Sequence, residues 1–183
     1  MQSNKILVHA CCGVCFSYPL IQLKEMGYEP VVYFFNSNIY PENEFDRRYN
    51  ELEKYCKVNS VQLIKEDYNH NEYLAFIRGF EDEPEKGERC NKCFEYRLSA
   101  AVKKAIELKI NKITTTLTVS PHKISKNIFK AGNFVTQNTN IEFLEIDFKK
   151  HDGFKKTSKI AYDFGMYRQK YCGCEFSIRK EKV

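Results

Sequence analysis

Apolar positions along the 183-residue chain fall into short blocks that switch between two periodicities. Ile6-Leu7-Val8 and Val31-Val32-Tyr33-Phe34-Phe35 are continuous runs rich in β-branched and aromatic residues, as strands buried on both faces require. Between them, Pro19 to Met26 reads as a helix ended by Gly27, whose missing Cβ suits a left-handed C-cap. A strand-helix-strand unit is the result. Asn36, Ser37, Asn38 and Pro41 then form a turn, a charged helix follows over residues 43–57, and Val61 to Lys65 gives a third strand. Residues 70–78 read as a short helix, and 79–89 as an acidic loop containing Glu81-Asp82-Glu83-Pro84-Glu85. Leu98, Ala101, Val102, Ala105 and Leu108 recur at helical spacing in a helix from Lys92 to Leu108. Ile113 to Val119 reads as a fourth strand, Lys123 to Asn133 as a helix, and Ile141 to Ile146 as a fifth strand.

Strands alternating with helices predict a single-domain, three-layer Rossmann-like α/β fold with a mainly parallel sheet and helices on both faces. In such sheets ligands bind beyond the carboxyl ends of the strands. His9 to Cys15, Asn36 to Pro41 and Ser120 to Lys123 each follow a strand, so these three loops are expected at one edge. Topology alone does not bring Cys90, Cys93, Cys172 and Cys174 there. Their arrival, with the segment 167–183 packing onto that edge, is a separate expectation.

Composition narrows the class. Hydrophobic residues make up 43% and charged residues 29%, the balance of a globular chain rather than a disordered one. No run approaches the roughly 20 apolar residues of a membrane span, and Met1 to Lys5 lacks the features of a signal peptide. The expectation is a cytoplasmic monomer with no membrane partner. The net charge of +5 is unevenly spread, with 19 basic against 9 acidic side chains in residues 91–183. A basic half attracts a polyanion such as tRNA by counterion release, although a solvated basic face would look the same.

Eight cysteines in a reducing compartment call for a chemical reason. Cys56 stands alone and reads as a small core hydrophobe. Seven form three tight groups: Cys11, Cys12 and Cys15; Cys90 and Cys93; Cys172 and Cys174. Cys90-Asn91-Lys92-Cys93 at a helix start puts two sulfurs on one side, where unpaired backbone N–H groups favour thiolates. His9-Ala10-Cys11-Cys12-Gly13-Val14-Cys15 occupies the place where a nucleotide-binding α/β protein carries its glycine-rich phosphate loop, and no such fingerprint occurs in the chain. Two cysteines from each segment supply the four thiolates of a [4Fe–4S] cluster, with four-sulfur zinc as the alternative. Cys15 is left as a ligand for an additional mononuclear iron, a neighbouring thiol or core. Cys172-Gly173-Cys174 reads as a redox pair or as a further pair of metal ligands.

Longer words of sequence add a resemblance. His9-Ala10-Cys11-Cys12-Gly13-Val14-Cys15, Asn36-Ser37-Asn38-Ile39-Tyr40-Pro41, Glu81-Asp82-Glu83-Pro84-Glu85 and Arg89-Cys90-Asn91-Lys92-Cys93-Phe94-Glu95-Tyr96-Arg97-Leu98 are joined by Thr114-Thr115-Thr116-Leu117-Thr118-Val119-Ser120-Pro121-His122-Lys123 and Tyr167-Arg168-Gln169-Lys170-Tyr171-Cys172-Gly173-Cys174-Glu175-Phe176-Ser177. In this order they resemble the cobalamin-independent epoxyqueuosine reductases, the QueH family. The resemblance implies a nucleotide α-hydrolase-like fold and reduction of epoxyqueuosine to queuosine at the wobble position of the tRNA anticodon. It further implies a [4Fe–4S] cluster on Cys11, Cys12, Cys90 and Cys93, and a redox-active pair at Cys172 and Cys174. Gly13-Val14 departs from an Ala-Pro frequent in the family, but touches no expected ligand.

Turning an epoxide into an alkene and water takes two electrons, two protons and an external electron donor. A dithiol stores two electrons, while an iron near Cys15 would instead grip the oxygen as a Lewis acid. His9, His122, Lys123 and Tyr167 are candidate proton donors. Asn36, Asn38, Thr115 and Ser120 are candidates to hydrogen-bond the substrate, and Arg97, Lys123, Arg168 and Lys170 to meet phosphates, each with an ordinary structural role as the alternative. Two other functions stay open: an ATP-dependent tRNA-thiolating enzyme, which needs a phosphate loop, and a non-catalytic zinc or iron–sulfur binding module.

Overall fold

The computed structural model describes residues 4–178. Five strands form one parallel sheet in the order β3-β2-β1-β4-β5: β1 (Lys5–His9), β2 (Glu29–Phe34), β3 (Leu63–Lys65), β4 (Lys112–Thr115) and β5 (Glu142–Phe143). Alternation along the strands builds two cores. Leu7, Val31, Tyr33 and Ile113 face α4 (Glu88–Glu107) and α5 (Ser125–Thr136), whereas Ile6, Val8, Val32 and Phe34 face α1 (Gly13–Glu25), α2 (Glu42–Val58) and α6 (Gly153–Asp163). Helices therefore cover both faces, as the alternating pattern predicts. Among the described residues no helix is long and apolar enough to cross a membrane.

Strand order reverses at the centre. The chain runs outward from β1 through β2 to β3, then α3 (His70–Phe76) and α4 return it to the far side of β1 for β4 and β5. The crevice at such a switch point is the natural ligand site of an open parallel sheet. Here it opens between the loops that follow β1 and β4.

Three local expectations are corrected and one helix is added. The first helix begins at Gly13 rather than Pro19, because Cys12 caps it: its sulfur accepts the Cys15 N–H at 3.3 Å, leaving Pro19 inside the helix. The fourth strand stops at Thr115 and becomes a 3-10 turn over Thr116–Val119, started by the Thr115 hydroxyl accepting the Leu117 N–H at 3.2 Å. The fifth strand shrinks to Glu142–Phe143, since beyond it Thr114 and Thr118 hydroxyls take the Leu144 and Ile146 carbonyls at 3.0 and 2.8 Å in place of a backbone ladder. Helix α6 was not foreseen, because its buried positions are the small residues Gly153, Thr157 and Ala161 rather than large apolar ones. Gly27, at φ +83°, does close α1.

Candidate functional site

The site is assembled from the ends of β1, β2 and β4, the start of α4 and the C-terminal segment. After His9 the chain turns through Ala10, Cys11 and Cys12 into α1, and Gly13 is required there because a Cβ would sit 2.9 Å from the Glu51 carbonyl of α2. That turn gathers three sulfurs. The thiols of Cys11, Cys12 and Cys15 all lie within 4.8 Å of one another, and Cys11 Sγ stands 3.9 Å from Cys12 Sγ. Gln169 adds an amide N–H donated to Cys12 Sγ at 3.2 Å.

One negative charge suits this trio best. Hydrogen bonds from Cys12 and Cys15, helped by Arg97 and Lys123, hold the Cys11 thiol well below its ordinary pKa. The hydrogen bond to Cys11 pushes Cys12 up to about 12, and Cys15 is raised by the same partners. One thiolate flanked by two thiol donors is the favoured protonation state.

Cys90 and Cys93 lie on the first turns of α4, with Arg97 one further turn along the same face. The Lys86 N–H donates to Cys90 Sγ at 3.2 Å. Arg89 fastens the acidic loop beneath them, donating to the Glu81 carbonyl at 2.7 Å and to the Glu83 carbonyl. Burial pushes the Cys93 thiol up to about 12 against the pull of Arg97, and Cys172 and Cys174 raise it further. Cys93 and Cys174 pack in one buried cluster, so the C-terminal pair sits beside the α4 pair. Desolvation works against the Lys123 ammonium, yet Cys172, Cys11 and Cys15 keep its pKa above the ordinary lysine value.

Most of these groups surround one cavity of about 440 Å³, while Cys12, 2% exposed, stands behind its wall. Six cysteines line it: Cys11, Cys15, Cys90, Cys93, Cys172 and Cys174. So do Asn38, Arg97, Ser120, His122, Lys123, Arg168 and Lys170, all singled out in the sequence. Asn36 and Thr115 stand behind its wall: Asn36 donates to the Ala10 carbonyl at 2.9 Å, and Thr115 pairs with His9 at 2.9 Å. His9 is wholly buried, its Nε2 meeting the Phe35 carbonyl at 3.2 Å, so that nitrogen carries the hydrogen and Nδ1 accepts from Thr115. Burial and then Arg97 pull its pKa down to about 3. Tyr167 turns its hydroxyl to Glu44 at 3.0 Å. Residues 179–183 of the expected tail segment lie outside the described residues.

A family model described as Epoxyqueuosine reductase QueH matches residues 6–180. The chain belongs to the QueH family. Among its QueH relatives, the protein named Epoxyqueuosine reductase QueH of Streptococcus pyogenes serotype M1 is 38% identical over 184 residues, covering 97% of this chain and 72% of the relative. The namesake of Staphylococcus epidermidis is 34% identical over 98% of this chain and 78% of its own length, and that of Thermotoga maritima 25% over 97% and 93%. Two solved structures share the fold. One is the U34-tRNA thiolase NcsA of Methanococcus maripaludis with its [4Fe-4S] cluster, at TM-score 0.59 and 12% identity over 97% of this chain and 63% of that one. The other is a predicted tRNA methyltransferase subunit of Methanocaldococcus jannaschii, at TM-score 0.56 and 13% identity over 84% and 74%.

An iron–sulfur cofactor fits the QueH residues present. Soft thiols from two separate segments line the same cavity, and Arg97, Lys123 and Arg48 supply positive charge against the negative charge of a thiolate-ligated cluster. Two buried polar atoms of cavity-lining residues, Asn38 Oδ1 and Arg97 Nε, find no protein partner, so this wall has hydrogen-bonding capacity left for a guest. Sequence reasoning missed Tyr73, Gln169 and Arg48 as neighbours of the sulfurs. Tyr73 and Arg48 carry no sequence signal for that placement, since each reads locally as an ordinary helix residue, whereas Gln169 sat unremarked inside a word already matched to the family.

Proposed function

We propose that this chain reduces the epoxide of epoxyqueuosine in tRNA to the alkene of queuosine, with its electrons handled by cysteine-bound iron and sulfur. One observation carries the reading: a QueH-family chain lines a single cavity with six cysteines drawn from three separate segments. In this reading Cys11, Cys12, Cys90 and Cys93 hold a [4Fe–4S] cluster, and Cys15, close beside Cys11 and Cys12, is the residue that would hold an additional iron. A low-potential cluster supplies electrons one at a time.

The chain's own groups do the rest. Breaking both C–O bonds of the epoxide to give alkene and water consumes two electrons and two protons. Oxidation of Cys172 and Cys174 to a disulfide releases the same number of each, and an external donor must then reduce the disulfide. Lys123, kept charged by the surrounding sulfurs, offers a proton to the departing oxygen. Asn38 Oδ1 has free hydrogen-bonding capacity for the substrate's polar groups. Phe154, 41% exposed, lines the same cavity as Arg168 and Lys170, a set that suits stacking and phosphate contacts with a single-stranded anticodon loop.

The test is anaerobic reconstitution with iron and sulfide, followed by reaction with epoxyqueuosine-tRNA and a reductant and analysis of the nucleosides. Queuosine is the expected product. Its absence from a preparation with an intact cluster would end the reading.

A further inference from the structure

Arg48 of α2 is 2% exposed, and its surroundings account for where its charge is used. A buried guanidinium is costly unless its N–H groups meet acceptors. Nε donates to Glu44 Oε1 at 2.7 Å, one turn back on the same helix. The two terminal nitrogens leave the helix altogether: Nη1 donates to the Cys172 carbonyl at 3.0 Å and Nη2 to the Tyr171 carbonyl at 3.2 Å. The guanidinium carbon also lies 5.2 Å from the centre of the Tyr171 ring. Glu44 is tied to the same segment by the Tyr167 hydroxyl at 3.0 Å.

The strap is shaped to receive this grip. Gly173 has φ +129°, which residues with a Cβ rarely adopt, and a Cβ there would stand 2.9 Å from Arg48 Nη1 and 3.2 Å from Ile39. On its other side the strap joins the turn after β2, with the Tyr40 N–H donating to the Gly173 carbonyl at 2.8 Å and the Tyr171 hydroxyl donating to the Tyr40 carbonyl. Held this way, Cys174 is 7% exposed, and both thiols face the cavity they share with Cys90 and Cys93.

We propose that Arg48 is a positioning residue, a fork on α2 that clamps the Tyr171 and Cys172 carbonyls and so fixes the Cys172-Gly173-Cys174 strap with its sulfurs at the α4 end of the cavity. The purpose of the clamp rests on the dithiol reading above; the clamp itself rests on the hydrogen bonds. Two directed donors are the essential feature. Lysine retains the charge but lacks the planar fork, so it does not substitute.

The experiment uses anaerobically reconstituted holoenzyme carrying Arg48→Lys, Arg48→Gln or Gly173→Ala. Alkylation of Cys174 is timed by peptide mass spectrometry, with Cys56, buried in the α2 core, as internal reference for global unfolding. Gly173→Ala attacks the contact from the strap side and leaves the Arg48–Glu44 pair intact. Each variant is expected to alkylate Cys174 at least about tenfold faster, with Cys56 within about twofold of wild type, since only the strap opens. Turnover of epoxyqueuosine-tRNA is expected to fall about tenfold or more in kcat, with KM changed by less than about threefold. Three results overturn the proposal: a Cys174 rate within about twofold of wild type in Gly173→Ala and Arg48→Lys, a Cys56 rate that rises in parallel, or a strap that opens without loss of turnover. Full turnover by Cys172→Ala would defeat the dithiol reading instead, and the alkylation rates would then judge the clamp alone.

Discussion

Arg97 donates from Nη2 to Asn36 Oδ1 at 2.5 Å across 61 residues of sequence, and Asn36 relays the contact to the Ala10 carbonyl at 2.9 Å. A buried cation is thereby anchored between the α4 cysteines and the turn that carries Cys11.

That relay predicts a stability change. Arg97→Met removes a charge-assisted hydrogen bond and is expected to cost about 1.5–3 kcal/mol, while Asn36→Ala leaves a buried carbonyl unpaired at about 1–3 kcal/mol. The double variant should lose less than the two effects added, because the residues share one bond. Urea denaturation of the three proteins measures this, and strict additivity would count against the relay.

The capping role of Cys12 and the ligand role proposed for it can be separated by substitution. As N-cap of α1 its sulfur accepts the Cys15 N–H. Serine also caps well, so Cys12→Ser is expected to keep the stability of the metal-free protein, while Cys12→Ala loses about 0.5–2 kcal/mol. Both should lose iron. Denaturation curves and iron-to-protein ratios distinguish the two roles, and a Cys12→Ser protein with full iron content would remove Cys12 from the ligand set.

Ligand and redox cysteines should part company in the same assay. Cys11→Ala and Cys93→Ala are expected to strip iron and sulfide from the anaerobically prepared protein. Cys172→Ala should retain both and lose turnover. Loss of the cluster from Cys172→Ala would instead make the C-terminal pair a set of metal ligands.

Cys56 gives a pH test away from the metal chemistry. It is 1% exposed, and burial, followed by Glu53, raises its thiol pKa from 9.0 to about 12. The folded state holds that proton more tightly than the unfolded one, so the thiol's stabilising contribution is complete below pH 9 and fades as pH climbs toward 12. Cys56→Ala is expected to flatten the decline in stability across this window, as read from denaturation midpoints. Native Cys56 should also resist alkylation near pH 8.

How far the sequence speaks differs from element to element. β1 and β2 were legible because strands buried on both faces must be apolar throughout, and the cysteine groups because sulfur at short spacing is seldom accidental. The end of β4 was not, since a run of threonines suits a strand until the Thr115 side chain captures a backbone N–H. α6 was hidden by its small buried residues. At the site, the loops after β1, β2 and β4 followed from topology, and Asn38, Ser120 and Lys123 were found at the cavity. Arg48 and Tyr73 were out of reach, because their meaning arises from groups on other elements, the Cys172 carbonyl and Cys93, that no local pattern encodes.

The neutral imidazole of His9 has a mechanical corollary. By bonding to Thr115 on one side and to the Phe35 carbonyl on the other, it rivets the tips of three adjacent strands into one stiff ledge. A ledge pinned at its centre has little room to shift, so the loops that follow β1, β2 and β4 meet a guest as a preformed wall rather than one moulded around it.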